Sequence, residues 1–317
     1  MPLIRKGARM ERHQPISVLA IGSACVDVVI RVERLPRREE NLHPLSQQFH
    51  LGGCACNAAN ILGRGGADVT FVTPVGMRGV FGPWVLGQLE NQPWAHPVRL
   101  PDEENGCCYC LVEPDGERTF MSIHGAEYTF SPEWMTPYED RAFSFGYVCG
   151  LEIEEKTGER LVDWLEGAGI STLLYAPGPR GMRVPESRTK RLLSLRPLLH
   201  LNRAEALQMA HSGSLRDAAE ILCNITNRPV IVTLGADGAM IGEKGKAPLH
   251  IPGEKAARVV DTIGAGDAHA GAVLLALSRG RNPADAVAFA NRVSARVVAQ
   301  EGAILENDDV LREMPPV

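Results

Sequence analysis

The 317-residue chain is poor in aromatic side chains, at 5% of the total, and has no surplus of positive charge, with 33 Lys and Arg against 38 Asp and Glu. A nucleic-acid-binding protein usually carries a basic patch or excess, so the net charge of −5 argues against that class. No apolar run approaches the length that crosses a bilayer, which argues against a membrane protein. No Gly-x-Gly-x-x-Gly follows the first strand-like segment, so a dinucleotide-dependent oxidoreductase has little support. Paired Cys-x-x-Cys spacing is also missing, although eight cysteines are present. Cys54 and Cys56 are one residue apart, and Cys107, Cys108 and Cys110 crowd one strand-like segment; neither group has the paired spacing of a zinc site. With no secretory signal, they read as free thiols acting as small apolar side chains in a cytoplasmic protein. Residues Met1 to His13 lack an apolar core and belong to an expected flexible extension over residues 1–15, leaving 16–317 as the folded unit.

What is present is a run of short apolar segments alternating with helical ones. Ser17–Gly22, Val69–Thr73, Ala142–Cys149, Ser171–Tyr175, Pro197–Leu201 and Pro229–Leu234 read as buried strands, and Val26–Val32 is also strand-like. Helical stretches fall at Asn57–Gly65, Glu155–Gly167, Glu186–Leu195 and Leu215–Asn224. Such alternation predicts an α/β protein with a mostly parallel sheet covered on both faces. Ligands of open sheets of this kind bind at the carboxyl ends of the strands. Residues 28–50 and 105–125 break the rhythm with extended sequence and no helix. Within the second, Cys107–Val112 and Arg118–Ile123 flank Pro114-Asp115-Gly116-Glu117, a hairpin signal.

The richest stretch is Asp261-Thr262-Ile263-Gly264-Ala265-Gly266-Asp267, which runs into a helical segment over Ala268–Ser278. Small residues let backbone N–H groups approach a ligand. A helix start adds unpaired donors and partial positive charge, which together suit a phosphate. Asp267 stands at that helix mouth, where it could take a proton from a hydroxyl. An anion hole with a base beside it suggests phosphoryl transfer, in which positioning and electrostatics do most of the catalysis. The plainer reading is a tight turn with Asp267 as a helix cap.

The segment from Asp261 to Ala272 resembles the second signature of the PfkB (ribokinase-like) carbohydrate kinase family, departing at His269, where the family usually has Phe. Gly52-Gly53-Cys54-Ala55-Cys56-Asn57-Ala58-Ala59 resembles the first signature, and Ala20 to Asp27 resembles the first strand with its sugar-binding carboxylate. Asn202-Arg203-Ala204-Glu205 is similar to the family's Asn-x-x-Glu element, and Thr233 to Ala239 to its nucleotide-bordering strand-turn-strand. One departure is Val75-Gly76-Met77-Arg78-Gly79-Val80-Phe81-Gly82, which lacks the acids many members carry.

The resemblance covers roughly residues 16–306 and implies a ribokinase-like three-layer α/β/α sandwich with a small β-sheet lid, whose strands come from about 28–50 and 105–125. It implies an ATP-dependent sugar kinase in which Asp267 is the base and Gly264, Ala265 and Gly266 form the anion hole. Asp27, Gly52, Gly53 and Asn57 would hold the sugar, and Asn202, Thr233, Gly235, Gly238, Gly264, Gly266 and Asn291 the ATP. Glu205 would organise a magnesium ion (Mg2+) through water. Asp261, Ile263, Val297 and Gly302 match a monovalent cation site, for which potassium (K+) is the expected ion. A homodimer clasped through the lids is expected, since an exposed lid would leave open edges. A nucleoside kinase of the same superfamily would need stacking side chains, for which Trp94 and Tyr109 are candidates. A non-catalytic, ligand-sensing relative would be expected to lose Asp267, which is present.

Overall fold

Each short apolar run of the sequence becomes a strand buried on both faces, and each amphipathic run becomes a helix covering it. The computed structural model describes residues 16–115, 117–305 and 307–313; the extension expected over 1–15 lies outside them. β1 (Ser17–Ile21) is wholly buried and sits inside a nine-stranded sheet. The chain then leaves that sheet for β2 (Cys25–Arg31) and β3 (Ser46–Gly52), an antiparallel pair, and returns through α1 (Cys54–Arg64). β4 (Asp68–Arg78), α2 (Phe81–Leu89) and β5 (Ala95–Glu104) complete one edge of the main sheet. A second excursion makes β6 (Cys107–Val112) and β7 (Arg118–Ile123), the expected hairpin.

On the other side of β1 follow β8 (Phe145–Cys149), α3 (Gly150–Glu154), α4 (Gly158–Gly167), β9 (Thr172–Ala176) and α5 (Glu186–Ser194). β10 (Leu198–Asn202), α6 (Arg203–Met209), α7 (Leu215–Thr226) and β11 (Val230–Thr233) extend the pattern. β12 (Ala239–Gly242) and β13 (Leu249–Ile251) turn antiparallel, and α8 (Ala265–Ser278) and α9 (Pro283–Val297) close the chain's large elements. The strand order is β13-β12-β11-β10-β9-β8-β1-β4-β5, parallel from β11 to β5. Alternate strand residues serve two cores. Val18 and Ala20 pack with α1, α8 and α9, whereas Leu19 and Ile21 pack with α4, α5 and α7. The result is the three-layer sandwich that the pattern predicted.

The small second sheet has the order β3-β2-β6-β7, and its central pair, β2 and β6, is parallel. It draws on both segments that interrupt the helical rhythm. Two details differ from expectation. β4 runs on to Arg78, past the expected end at Thr73, because its last residues keep pairing with β5 through a register shift at Met77. The expected helix Glu155–Gly167 starts only at Gly158, after the separate turn of α3.

The segment over 75–82 owes its shape to a residue far off in sequence. Asn105, 6% exposed, accepts from the Gly76 N–H at 3.0 Å and donates to the Ala24 carbonyl at 3.0 Å. It thereby joins the end of β4 to the turn between β1 and β2. Asn105→Ala should leave two buried backbone groups unpaired and destabilise the protein by roughly 2–4 kcal/mol. Urea unfolding followed by fluorescence measures this, and a midpoint equal to that of the parent would remove Asn105 from the structural account.

Candidate active site

The loop at residues 261–267 owes its shape to Asp261, whose carboxylate holds two backbone groups. Oδ1 accepts from the Ile263 N–H at 2.8 Å and Oδ2 from the Gly302 N–H at 3.1 Å. Gly264 then caps α8 in the left-handed conformation, φ +69°, and a Cβ there would stand 2.2 Å from Ala303 Cβ. Only glycine satisfies both demands. Among the described residues, the N–H groups of Gly264, Gly266 and Asp267 have no acceptor, whereas that of Ala265, expected in the anion hole, donates to the Thr262 carbonyl at 3.4 Å. The unpaired groups are the free donors of a helix start, aimed where an anion would sit.

Asp267 is the third residue of α8 and does not cap it; Gly264 occupies the cap position. Its Oδ2 accepts from Asn57 Nδ2 at 3.0 Å, which links the start of α8 to the start of α1. Burial raises the Asp267 carboxyl above the usual range, and hydrogen bonds from Asn57 and Cys54 pull it back. Asp27, on β2, is 7% exposed and is pushed well up by burial, with Cys108, Asp267 and Asp261 adding to the effect. Gly52 passes directly over it, and a Cβ at Gly52 would lie 2.1 Å from Asp27 Oδ2. Gly53 follows with φ +100° and caps α1. Asp27, Gly52, Gly53, Asn57, Gly264 and Asp267 therefore come together.

The residues matched to the nucleotide lie at the carboxyl ends of neighbouring strands. Asn202 and Thr233 are register partners at the ends of β10 and β11, and Gly235 and Gly238 bound the 3-10 turn that follows. Asn202 and Glu205 form a complete capping box on α6: Glu205 N–H donates to Asn202 Oδ1 at 2.9 Å and Asn202 N–H to Glu205 Oε2 at 2.9 Å. Burial raises the Glu205 carboxyl, and Asp267 adds to the rise. Asn291 is engaged at both ends of its amide. His269 Nε2 lies 3.1 Å from its Oδ1, and its Nδ2 donates to the Pro252 carbonyl at 3.0 Å. His269 in turn lies 2.8 Å from His200. Burial drives both histidines down, His269 to about 4, so both are neutral near pH 7. The position where an aromatic ring was expected thus carries a buried hydrogen-bonding chain.

The four positions matched to a monovalent cation are only partly united. Gly302 meets Asp261, but the carbonyl that receives the Asp261 N–H belongs to Val298; that of Val297 accepts from Gln300. Ile263 packs on Cys110, Val29 and Val112 of the lid. A cation is already present: Arg118 of β7 lies 3.0 Å from Asp261 Oδ1 and also donates to the Thr262 hydroxyl. Both side chains of the ion pair are almost enclosed.

Two residues were missed in the sequence. One is Arg118, which joins lid and loop. The other is Glu152 of α3, 1% exposed, which accepts from the Ser23 N–H at 2.8 Å through Oε1. Glu152 Oε2, Ser23 Oγ and Asn57 Oδ1 are buried with no hydrogen-bond partner of acceptable geometry. Buried polar atoms of this kind call for a partner, and hydroxyl groups would provide one. Trp94, by contrast, packs on Phe71 with ring centroids 6.1 Å apart and covers Gly63; it lines a cleft of about 260 Å³ that touches the site only through Gly302 and Ala303. Tyr109 is half-buried on β6, beside the core.

The family model of pfkB family carbohydrate kinases matches residues 16–309. The uncharacterized sugar kinase YegV of Escherichia coli is 35% identical over 290 residues, covering 90% of this chain and 89% of its own. Among solved structures, Arabidopsis thaliana ribokinase, complexed with ribose and ATP, gives a TM-score of 0.76 at 20% identity over 95% of this chain and 98% of its own. A Burkholderia thailandensis nucleoside kinase in complex with inosine gives 0.72 at 20% identity over 91% of each chain. At these identities the two structures speak to the fold, which they share with this chain.

Glu152 yields a prediction about stability. Its carboxyl is raised by burial, against the Ser23 N–H, from 4.5 to about 7. Below pH 4.5 it is neutral in both folded and unfolded states; between 4.5 and 7 the folded state binds more protons, so this group's contribution to stability declines as pH rises. Glu152→Gln keeps the acceptor for Ser23 and removes the titration. The variant should gain stability relative to the parent on going from pH 5 to pH 8, by up to about 3 kcal/mol. Thermal melts at the two pH values test this, and a difference that does not change with pH would exclude the raised carboxyl.

Proposed function

The chain belongs to the pfkB family of carbohydrate kinases, and from that premise we propose that it transfers the γ-phosphate of ATP to a hydroxyl, expected to be primary, of a small carbohydrate. The observation that carries this reading is the Asn57–Asp267 hydrogen bond, which seats a carboxylate beside the free N–H groups of Gly264 and Gly266. Asp267 accepts the proton of the attacking hydroxyl, and those N–H groups stabilise charge developing on the phosphoryl oxygens. Asp27, Asn57 and the backbone of Gly52 and Gly53 hold the acceptor, with Glu152 and Ser23 adding unpaired polar atoms. Asn202, Thr233, Gly235 and Gly238 border the nucleotide, while Asn291 fixes the 251–252 backbone beside it.

Magnesium neutralises phosphate charge when bound and keeps several of its waters. Glu205 fits an outer position for it, because its two oxygens have lone pairs left beyond the capping box. A potassium ion fits Asp261 poorly, since Arg118 already faces that carboxylate, and no step here runs through one. A nucleoside acceptor is the second reading, but Trp94 is packed against Phe71 and lends it no stacking surface. A non-catalytic relative would not need a buried base beside free N–H donors. Among the described residues no helix is long and apolar enough to cross a membrane.

ADP release across a panel of pentoses, hexoses and nucleosides identifies the acceptor. On the best of them, Asp267→Asn should lower kcat on the order of 10²- to 10⁴-fold and leave the KM for ATP nearly unchanged. The melting temperature should not fall, because Asn relieves a carboxyl that burial disfavours. Near-parental turnover in the folded variant would leave Asp267 a structural residue of the first helical turn.

The lid supports a homodimer. Phe120, Met121 and Ile123 of β7 are 53%, 54% and 58% exposed, and both β3 and β7 have an open edge. Apolar side chains grouped on an exposed edge strand favour pairing with another copy. Sedimentation equilibrium should give a dimer that Phe120→Glu with Met121→Glu converts to monomer. A parent chain that sediments as a monomer at micromolar concentration would overturn this assembly.

A further inference from the structure

The lid carries two thiols that phosphoryl transfer does not use, beside a carboxylate, Asp27, that it does. β2 and β6 run parallel with Asp27 opposite Cys108, and Cys110 lies two residues further on the same face of β6. The ligand atoms of Asp27, Cys108 and Cys110 all lie within 4.8 Å of one another, and among the described residues no other three His, Cys, Asp or Glu side chains do so. The two sulfurs are 3.7 Å apart. Two thiolates bound to a tetrahedral zinc ion at about 2.3 Å would stand about 3.8 Å from each other. Asp27, within 4.8 Å of both sulfurs, can supply a third position by moving toward them. Cys25 Sγ lies 4.0 Å from the Asp27 carboxylate, and Ser122 Oγ lies 3.4 Å from Cys108 Sγ, so further polar groups surround the trio.

We propose that Asp27, Cys108 and Cys110 form a binding site for a thiophilic divalent cation such as zinc, and that the bound ion excludes the acceptor. Two thiolates and a carboxylate are the donor set that zinc takes, with a water or a hydroxyl in the fourth position. Binding displaces the proton of each thiol to solvent, so affinity rises with pH. The ion and the acceptor need the same carboxylate. An ion held by β2 and β6 therefore switches the enzyme off without touching the nucleotide side. The exclusion of the acceptor rests on the reading of Asp27 given above; the binding of the ion does not.

The test is made on the full chain, purified under reductant and freed of metal. Calorimetric titration with zinc should give one ion per chain, with more proton release in a buffer at pH 7 than at pH 8. Cys108→Ser, at a half-buried position, should weaken binding by more than the roughly 10- to 100-fold that loss of an outer-shell partner causes. Cys223→Ser, on α7, should change nothing. Zinc should also protect Cys108 of the parent chain from alkylation, a readout that needs no variant. In the ADP-release assay, inhibition by zinc should be relieved by raising the acceptor and not by raising ATP. Equal affinity in the parent and Cys108→Ser, or no protection from alkylation, would overturn the site. Zinc bound at the cysteines with inhibition indifferent to acceptor concentration would overturn the exclusion and leave the kinase reading standing.

Discussion

One hydrogen bond, from Asn57 Nδ2 to Asp267 Oδ2, joins the starts of two helices that are 210 residues apart in the chain. Both helices begin at a glycine with positive φ, so neither uses a side chain as its cap. In the first turn of α8 the N–H groups of Gly266 and Asp267 remain available, and the carboxylate of Asp267 is fixed by a neutral partner rather than neutralised by a cation. A lysine or arginine in place of Asn57 would form an ion pair with Asp267 and hold its carboxyl down. The amide orients the oxygen and pulls its carboxyl down, while burial, the larger cause, keeps it raised.

Burial acts in one direction throughout this region. The carboxyls of Asp27, Glu152, Glu205 and Asp267 are all raised, burial being the largest cause for each, and the charge of Asp267 adds to the rise at the other three. Grouping acids in a low-dielectric place opposes folding. Arg118 offsets this at Asp261 alone. The site is thus built for function at some expense of stability, as strained or desolvated groups at active sites generally are.

Much of this was legible in the sequence, for reasons that differ by element. The loop around Gly264 and the turn at Gly52 and Gly53 are local, and small residues before a helix declare themselves wherever they occur. The 107–123 hairpin is local too. What stayed hidden depends on contacts between distant segments. Arg118 meets Asp261 across the lid, and Asn105 binds one backbone group at the end of β4 and one in the turn between β1 and β2. Glu152 could have been found, because an acid between Leu151 and Ile153 raises the same question as Asp27 between Val26 and Val28. The cysteines are the clearest case: spacing along the chain argues against a zinc site and for free apolar thiols, but the parallel pairing of β2 with β6 brings Asp27 to Cys108.

That parallel pairing also has a bearing on how the protein is made. Parallel neighbours cannot be joined by a tight turn, and between β2 and β6 the chain must first lay down β3, α1, β4, α2 and β5. The lid therefore cannot form as an autonomous hairpin early in synthesis; it waits for one whole edge of the main sheet. The loop at 261–267 emerges later still. A growing chain can thus complete the lid and lay Gly52 over Asp27 while the ribosome has yet to deliver the loop at 261–267. Long-range closure of this sort slows folding and exposes unfinished edges. Until β6 arrives, the β2 edge is a surface on which a chaperone, or another nascent chain, can act.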